Sequence, residues 1–261
     1  MQKVALPIAE EMVALAKQLE TLGQAEAPWL QQVIQHWRQA PGKQIRPQCV
    51  FLVAGACGKI SPKAHRAAAL AALLHQASLV HDDVVDEATH RRGHPTVHAR
   101  WGNKVAVLFG DHLLAKALSL VTQHHDYDLL QCLTEATQAM TQGELLQLSQ
   151  AHQPETSEQV YLDIIHQKTA HLFGACFVMG ALTAKAEEAQ VTTLRQAGLH
   201  LGMAFQIRDD LNDYRAAEEG KPTGMDIREG KLTLPLIYAL QQADAPTRQS
   251  IQTMIASSKP L

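Results

Sequence analysis

The pattern Asp-Asp-x-x-Asp occurs twice in this chain, as Asp82-Asp83-Val84-Val85-Asp86 and as Asp209-Asp210-Leu211-Asn212-Asp213. On a helix, the first and last carboxylates of each set stand at i and i+4, on one face about one turn apart. Like charges so placed destabilise a helix, and a divalent cation held between them offsets the repulsion. Mg²⁺ suits such a pair, because it takes one or two carboxylates and completes its shell with water and phosphate oxygens. A solvated acidic helix end would account for either cluster alone. Both, however, follow strongly apolar segments, Leu79-Val80 and Met203-Ala204-Phe205, which places the acids at the mouth of a cavity.

The cations sharpen the ligand class. Arg91 and Arg92 follow Asp86, and Lys43 and Arg46 share a Pro-flanked segment. Lys168-Thr169 interrupts an apolar stretch, and Lys221 and Lys231 flank the run GKPTGMDIREGK. Each alone is an ordinary surface residue. Together, Arg forks and Lys point charges are what diphosphates require. Acids for metal beside bases for diphosphate point to two anionic ligands, one bound through metal and one directly. Other signals are weaker. Gly55-Ala56-Cys57-Gly58-Lys59 lacks the leading Gly and the Ser/Thr of a P-loop. His124-His125 reads as a solvated helix end and His81 as a hydrogen-bonder behind the acids. No nucleophile-and-base arrangement can be made out.

The elements that must carry these residues are helical. Apolar periodicity marks helices over 4–22, 28–39, 64–85, 105–124, 129–150, 158–182, 187–214 and 234–242. The best of them carries Ala67, Leu70, Leu74 and Ala77 at spacings of three and four. A break is expected at Gly23, another at Pro41-Gly42, and Arg91-Arg92-Gly93-His94-Pro95 ends the long helix. No alternating strand pattern of useful length is present. The chain of 261 residues is 46% hydrophobic, 5% aromatic and 19% charged, with no linker rich enough in Pro, Gly or Ser to divide it. The fold class read from this is all-α, as a single domain over 1–261. A net charge of −3 offers no basic face for nucleic acid. Four cysteines without CxxC spacing argue against zinc and disulfides and for a reducing, cytoplasmic setting. The N-terminal residues carry acids and no unbroken apolar core, unlike a signal peptide. No stretch approaches the roughly 20 apolar residues that a membrane span needs.

At motif level, HQASLVHDDVVDEATHRRGHPT resembles the first aspartate-rich motif of the trans-isoprenyl (polyprenyl) diphosphate synthases. FQIRDDLNDY and GKPTGMDIREGKLTLPLIYAL are similar to the second motif and its following loop. GKQIRP resembles the family's GKRxRP segment, and QKTAHLF its Lys-Thr motif. The likeness runs in family order from Lys43 to Leu240, and is to medium- and long-chain members such as heptaprenyl and octaprenyl diphosphate synthases. It implies a bundle of antiparallel helices around a central cavity, and Mg²⁺ as cofactor, about three ions per site bound with diphosphate. Asp82, Asp86 and Asp209 would be the main ligands, with Asp83, Asp210 and Asp213 supporting them. Arg91, Lys168 and Lys231 would hold the allylic diphosphate, with Thr169 and Gln206 at the reacting centre and Lys221 near the leaving group. Lys43, Arg46, His75 and Arg92 would hold isopentenyl diphosphate. Two departures stand out: Gln44 occupies a position where the family usually has Arg, and the chain ends soon after the TLPLIYAL segment, where family members usually continue.

The implied reaction is ionisation, condensation and elimination, giving a membrane-soluble all-trans product. One helix turn rises ~5.4 Å, comparable to one isoprene unit. Leu74, Ala77 and Ser78 therefore lie where product length is set, and the small Ala77 and Ser78 predict an open tunnel and a medium-to-long product. A short-chain geranylgeranyl or farnesyl diphosphate synthase is the nearest alternative. A terpene cyclase is disfavoured by DDLND. A subunit of a heteromeric synthase remains open beside the homodimer that the resemblance implies.

Overall fold

The computed structural model of the chain describes residues 6–22, 24, 27–39, 42–214 and 224–257. Gly23, Pro41 and Lys221 lie outside the described residues, as does the start of the helix expected from residue 4. Helices account for nearly everything described: α1 (Ala9–Leu22), α2 (Pro28–Trp37), α3 (Ile45–Cys57), α4 (Pro62–Val85), α5 (Val97–Trp101), α6 (Asn103–Gln123), α7 (Tyr127–Gln150), α8 (Glu158–Ile165), a π-helical turn (His166–Ala170), α9 (His171–Thr183), α10 (Glu188–Asp213), α11 (Met225–Arg228), α12 (Leu234–Gln242) and α13 (Ala245–Ser257). The chain is all-α. Two two-residue strands, β1 (His90–Arg91) and β2 (His94–Pro95), form a tight antiparallel hairpin. Arg92 and Gly93 both have positive φ, 53° and 79°, as a two-residue loop of the primed type requires.

The chain divides into two compact units. The first comprises Met1–Glu135 and Ala175–Arg195, the second Ala136–Gly174 and Gln196–Leu261. In the first, α4 is the organising element. Its start is fixed by Ser61, whose hydroxyl accepts from the Ala64 N–H at 3.3 Å, and by Pro62 in the first turn. Ala64, Ala67 to Leu74 and Ala77 are all buried, so the helix is apolar on every side, as a central core helix must be. Its charged N-terminal turns are tied down by ion pairs: Arg66 forks onto buried Asp126 at 2.6 and 3.1 Å, and Lys63 reaches Asp128 at 2.6 Å. The C-terminus closes as a Schellman motif. Ala88 N–H donates to Asp83 O at 3.0 Å and Glu87 N–H to Val84 O, with Glu87 itself left-handed at φ 49°. This turn fixes where the helix stops and so where its acids stand.

Helix α4 packs most extensively on α6, through α6's buried Ala106, Phe109, Gly110, Leu113, Ala117, Leu120 and Val121. By length and composition α6 is also apolar enough to cross a membrane, a test that a core helix packed as this one is passes as well. In the second unit, α8 and α12 share a core of Tyr161, Ile165, Leu236, Ile237 and Leu240 with Leu232 and Ile255.

Candidate active site

In the first unit, Asp82, Asp83 and Asp86 occupy the last turn and cap of α4. Asp82 and Asp86 are half-buried, whereas Asp83 is 6% exposed and turns toward the hairpin, where Arg91 Nε donates to its Oδ1 at 2.7 Å. Burial pushes the Asp83 carboxyl upward, and Arg91 opposes the shift. Arg91 and Arg92 line a small cavity of about 40 Å³ together with Asp83, Gln76, Leu79 and Val80. Gly42, at φ 67°, lies against the Arg92 guanidinium, so close that any Cβ there would strike it. Gln44 adopts a left-handed conformation (φ 52°) just before α3. Arg46 on the first turn of α3 donates to His75 Nε2 at 2.7 Å. Burial, then the fields of Arg46, Arg92 and Arg91, hold the His75 imidazole well below its ordinary range, so it is the neutral acceptor. The hairpin, the GKQIRP segment and α4 thus bring Arg46, His75, Arg91 and Arg92 into one neighbourhood, while Lys43 is exposed at its edge. Leu74 and Ala77 are buried at 4% and 2%. Ser78 is half-buried, and its hydroxyl donates to the His75 carbonyl at 2.9 Å. His81 contacts the Val107 carbonyl at 3.2 Å and Asp111 at 3.5 Å, on the side of α4 that meets α6.

In the second unit a cavity of about 140 Å³ is lined by Lys168, Thr169, Gln206, Asp210, Asp226 and Lys231, with Tyr161, Ile164, Ile165 and Leu232 as its apolar wall. A hydrogen-bond chain orders it. Thr169 Oγ1 donates to Gln206 Oε1 at 2.8 Å, Gln206 Nε2 donates to Asp210 Oδ1 at 2.7 Å, and Tyr161 Oη donates to Asp210 Oδ2 at 2.6 Å. Asp210 is 6% exposed, and burial raises its carboxyl pKa despite these donors. Asp209 is exposed and Asp213 half-buried. The Asp226 N–H donates to Asp213 Oδ2 at 3.2 Å, docking α11 on the end of α10. Burial, then Asp210 and Asp213, push the Asp226 carboxyl up to about 7. Lys168 is ion-paired with Glu144 and donates to Gln147 Oε1 at 3.1 Å, and Lys231 pairs with Glu229 at 2.7 Å. Tyr161, Glu144, Gln147 and Asp226 were not picked out from the sequence. Spacing alone offered a signal for Gln147, one turn past Gly143, and for Tyr161, two turns before Lys168.

Among the described residues, no three His, Cys, Asp or Glu side chains converge on a ready-made metal site. The donors present are hard oxygens in pairs. Asp83 holds Arg91, and Asp210 accepts from Tyr161 and Gln206, so the first and last carboxylates of each cluster are the pair that suits Mg²⁺, which takes one or two carboxylates when phosphate oxygens supply the rest.

The family model described as Polyprenyl synthetase matches residues 27–260, across both units. The chain belongs to the polyprenyl synthetase family. An all-trans-nonaprenyl-diphosphate synthase (geranyl-diphosphate specific) of Rhodobacter capsulatus is 40% identical over 259 residues, 98% of this chain and 79% of the relative. A heptaprenyl diphosphate synthase component 2 of Geobacillus stearothermophilus is 37% identical over 235 residues, 89% of this chain and 73% of the relative. The crystal structure of a polyprenyl synthase from Caulobacter crescentus, complexed with calcium and isoprenyl diphosphate, aligns with a TM-score of 0.88 at 33% identity, covering 98% of this chain and 84% of that one. Enzymes of the polyprenyl synthetase family are metal-dependent prenyltransferases.

Proposed function

We propose that this chain condenses isopentenyl diphosphate with an allylic diphosphate, with both units working as one synthase domain, to make an all-trans polyprenyl diphosphate of medium or long chain. The observation that carries this reading is the second-unit cavity, where two ammonium groups and an ordered Thr169–Gln206–Asp210 chain meet an apolar wall, in a chain matched by the family model from 27 to 260. Asp82 and Asp86 in the first unit, and separately Asp209 and Asp213 in the second, would each hold Mg²⁺, which would supply a Lewis acid for a departing diphosphate. Lys168 and Lys231 would hold that diphosphate in place of their present partners Glu144 and Glu229. Thr169 and Gln206 direct fixed dipoles at the cavity, and the walls of Ile164, Ile165 and Leu232 keep water from the allylic cation. Arg46 and Arg92, with neutral His75, would grip isopentenyl diphosphate, whose double bond attacks the allylic carbon as its C–O bond breaks. The released diphosphate then takes the proton lost from the adjacent carbon. Lys43 at the rim and Lys221 are assigned to the two diphosphates by resemblance.

The expected partner is a second copy of the chain. The similarity to a protein named component 2 supports a second reading, in which a different subunit completes the enzyme. Incubation with Mg²⁺, labelled isopentenyl diphosphate and farnesyl or geranylgeranyl diphosphate, with product length read by chromatography, tests the proposal. A discrete product longer than twenty carbons supports it. A stop at twenty carbons retains the reaction and overturns the open tunnel below Asp82. No product with this chain alone, restored by a second subunit, favours the heteromeric reading.

A further inference from the structure

Lys168 and Thr169 sit on the π-helical turn His166–Ala170, between α8 and α9. Two helices press against that turn through glycine. On α7, a Cβ at Gly143 would lie 2.5 Å from the Lys168 backbone nitrogen and 2.9 Å from Gln167 Cβ. On α10, a Cβ at Gly202 would lie 2.5 Å from Ala170 Cα and 3.1 Å from Phe173 Cβ. Backbone atoms cannot swing aside as the end of a flexible side chain can, so neither helix could come this close with alanine. Both glycines are helical, where glycine is a poor former, and the close approach is what each supplies. One turn beyond each glycine comes the side chain that holds the turn's functional group. Gln147, four residues after Gly143, accepts from Lys168, and Gln206, four residues after Gly202, accepts from Thr169.

We infer that Gly143 and Gly202 are positioning residues: they let α7 and α10 clamp the π-helical turn from two helices and so set where the Lys168 ammonium and Thr169 hydroxyl stand. The inference deepens the condensation reading and rests on it. A methyl group at either glycine must displace the turn, the helix or both, and a misplacement of about 1 Å in a reacting group is enough to cost ~10²-fold in rate. Gly180 supplies the comparison. Its would-be Cβ lies 2.6 Å from the Val50 carbonyl, equally tight but ten residues past the turn, along α9.

The test measures kcat, KM, Tm and the affinity for inorganic diphosphate with Mg²⁺ in the full chain carrying Gly143→Ala, Gly202→Ala or Gly180→Ala. The first two are expected to lose roughly 10²-fold in kcat with KM for isopentenyl diphosphate little changed. Gly180→Ala is expected to lower Tm at least as much while kcat stays within about threefold. Full kcat in the first two, or an equal loss in Gly180→Ala, would overturn the inference. Should either alanine variant not fold, Gln147→Met keeps both glycines and removes one acceptor of Lys168, leaving Glu144 in place. A loss of about tenfold at unchanged Tm is then expected, and full activity overturns the idea. A wild type that condenses the substrates neither alone nor with a second subunit refutes the condensation reading itself. The diphosphate titration then decides alone, with weaker binding in Gly143→Ala expected and equal binding contradicting the clamp.

Discussion

Tyr161→Phe removes one oxygen from the second-unit network and leaves the aromatic ring in place. Tyr161 and Asp210 are 3% and 6% exposed, so water cannot readily replace the lost 2.6 Å donor. A hydrogen bond to a buried charged acceptor is worth about 1.5–3 kcal/mol. Taking about 2 kcal/mol, and about 2–4 °C per kcal/mol for a chain of this size, Tm should fall by roughly 4–8 °C. Asp210 would keep only the Gln206 donor, beside Asp209 and Asp213, and its carboxylate would be free to turn toward the ions proposed for those residues. Loss of a group that orients metal-site carboxylates typically costs about 10–100-fold in metal affinity or activity. The assay is therefore twofold: thermal unfolding without ligand, and condensation rate against Mg²⁺ concentration. The expected result is a lower Tm together with a higher half-saturating Mg²⁺ concentration. An unchanged Mg²⁺ requirement in a variant that is measurably destabilised would refute the account of Asp210 as a held, supporting carboxylate.

Four further outcomes follow from the same geometry. Asp86→Ala should cut kcat at least ~100-fold yet leave stability unchanged or raised by a few tenths of a kcal/mol, because it relieves an i,i+4 repulsion with Asp82; thermal and kinetic assays check both. Asp126→Asn strands Arg66, whereas Lys63 keeps Asp128, and should cost about 1–3 kcal/mol in chemical unfolding, reduced from a fully buried pair because Arg66 is partly exposed. His75 has a depressed folded pKa, so below about 6.5 the unfolded chain binds a proton that the folded chain does not. Stability should then fall as pH drops, by up to about 1.4 kcal/mol per unit, and His75→Gln should flatten that slope in unfolding measured from pH 7 to 5. Ser78→Phe should shorten the product series seen by chromatography, since one turn spans about one isoprene unit.

The long helices were legible because their apolar periodicity is strong. The helix read over 64–85 is α4 (Pro62–Val85), that over 187–214 is α10 (Glu188–Asp213), and 234–242 is α12. The stretch read as one helix over 158–182 is instead broken by the π-helical turn, because an inserted residue that widens one turn leaves composition unchanged. Helix α3 is not among the helices read from periodicity; its Pro47 sits in the first turn, where proline is tolerated. The hairpin was read only as a helix end: two-residue strands are too short to alternate, and its signal lay in Arg92-Gly93. For the site, spacing set the first and last aspartates of each cluster on one helix face but could not show what the middle one contacts. Asp83 and Asp210 are separated from their neighbours by Arg91 and by Tyr161 with Gln206, partners 8, 49 and 4 residues away in sequence. Only the folded chain shows those partners.

The central claim, metal-dependent transfer of an allylic group to isopentenyl diphosphate, is tested most directly by inorganic diphosphate release. Release would be followed from an allylic primer with isopentenyl diphosphate, with and without Mg²⁺, in the wild type and in Asp82→Asn/Asp86→Asn. The account predicts release stoichiometric with condensation, abolished by chelation and lost in the double variant. Equal release from wild type and double variant, or release that ignores Mg²⁺, would contradict it.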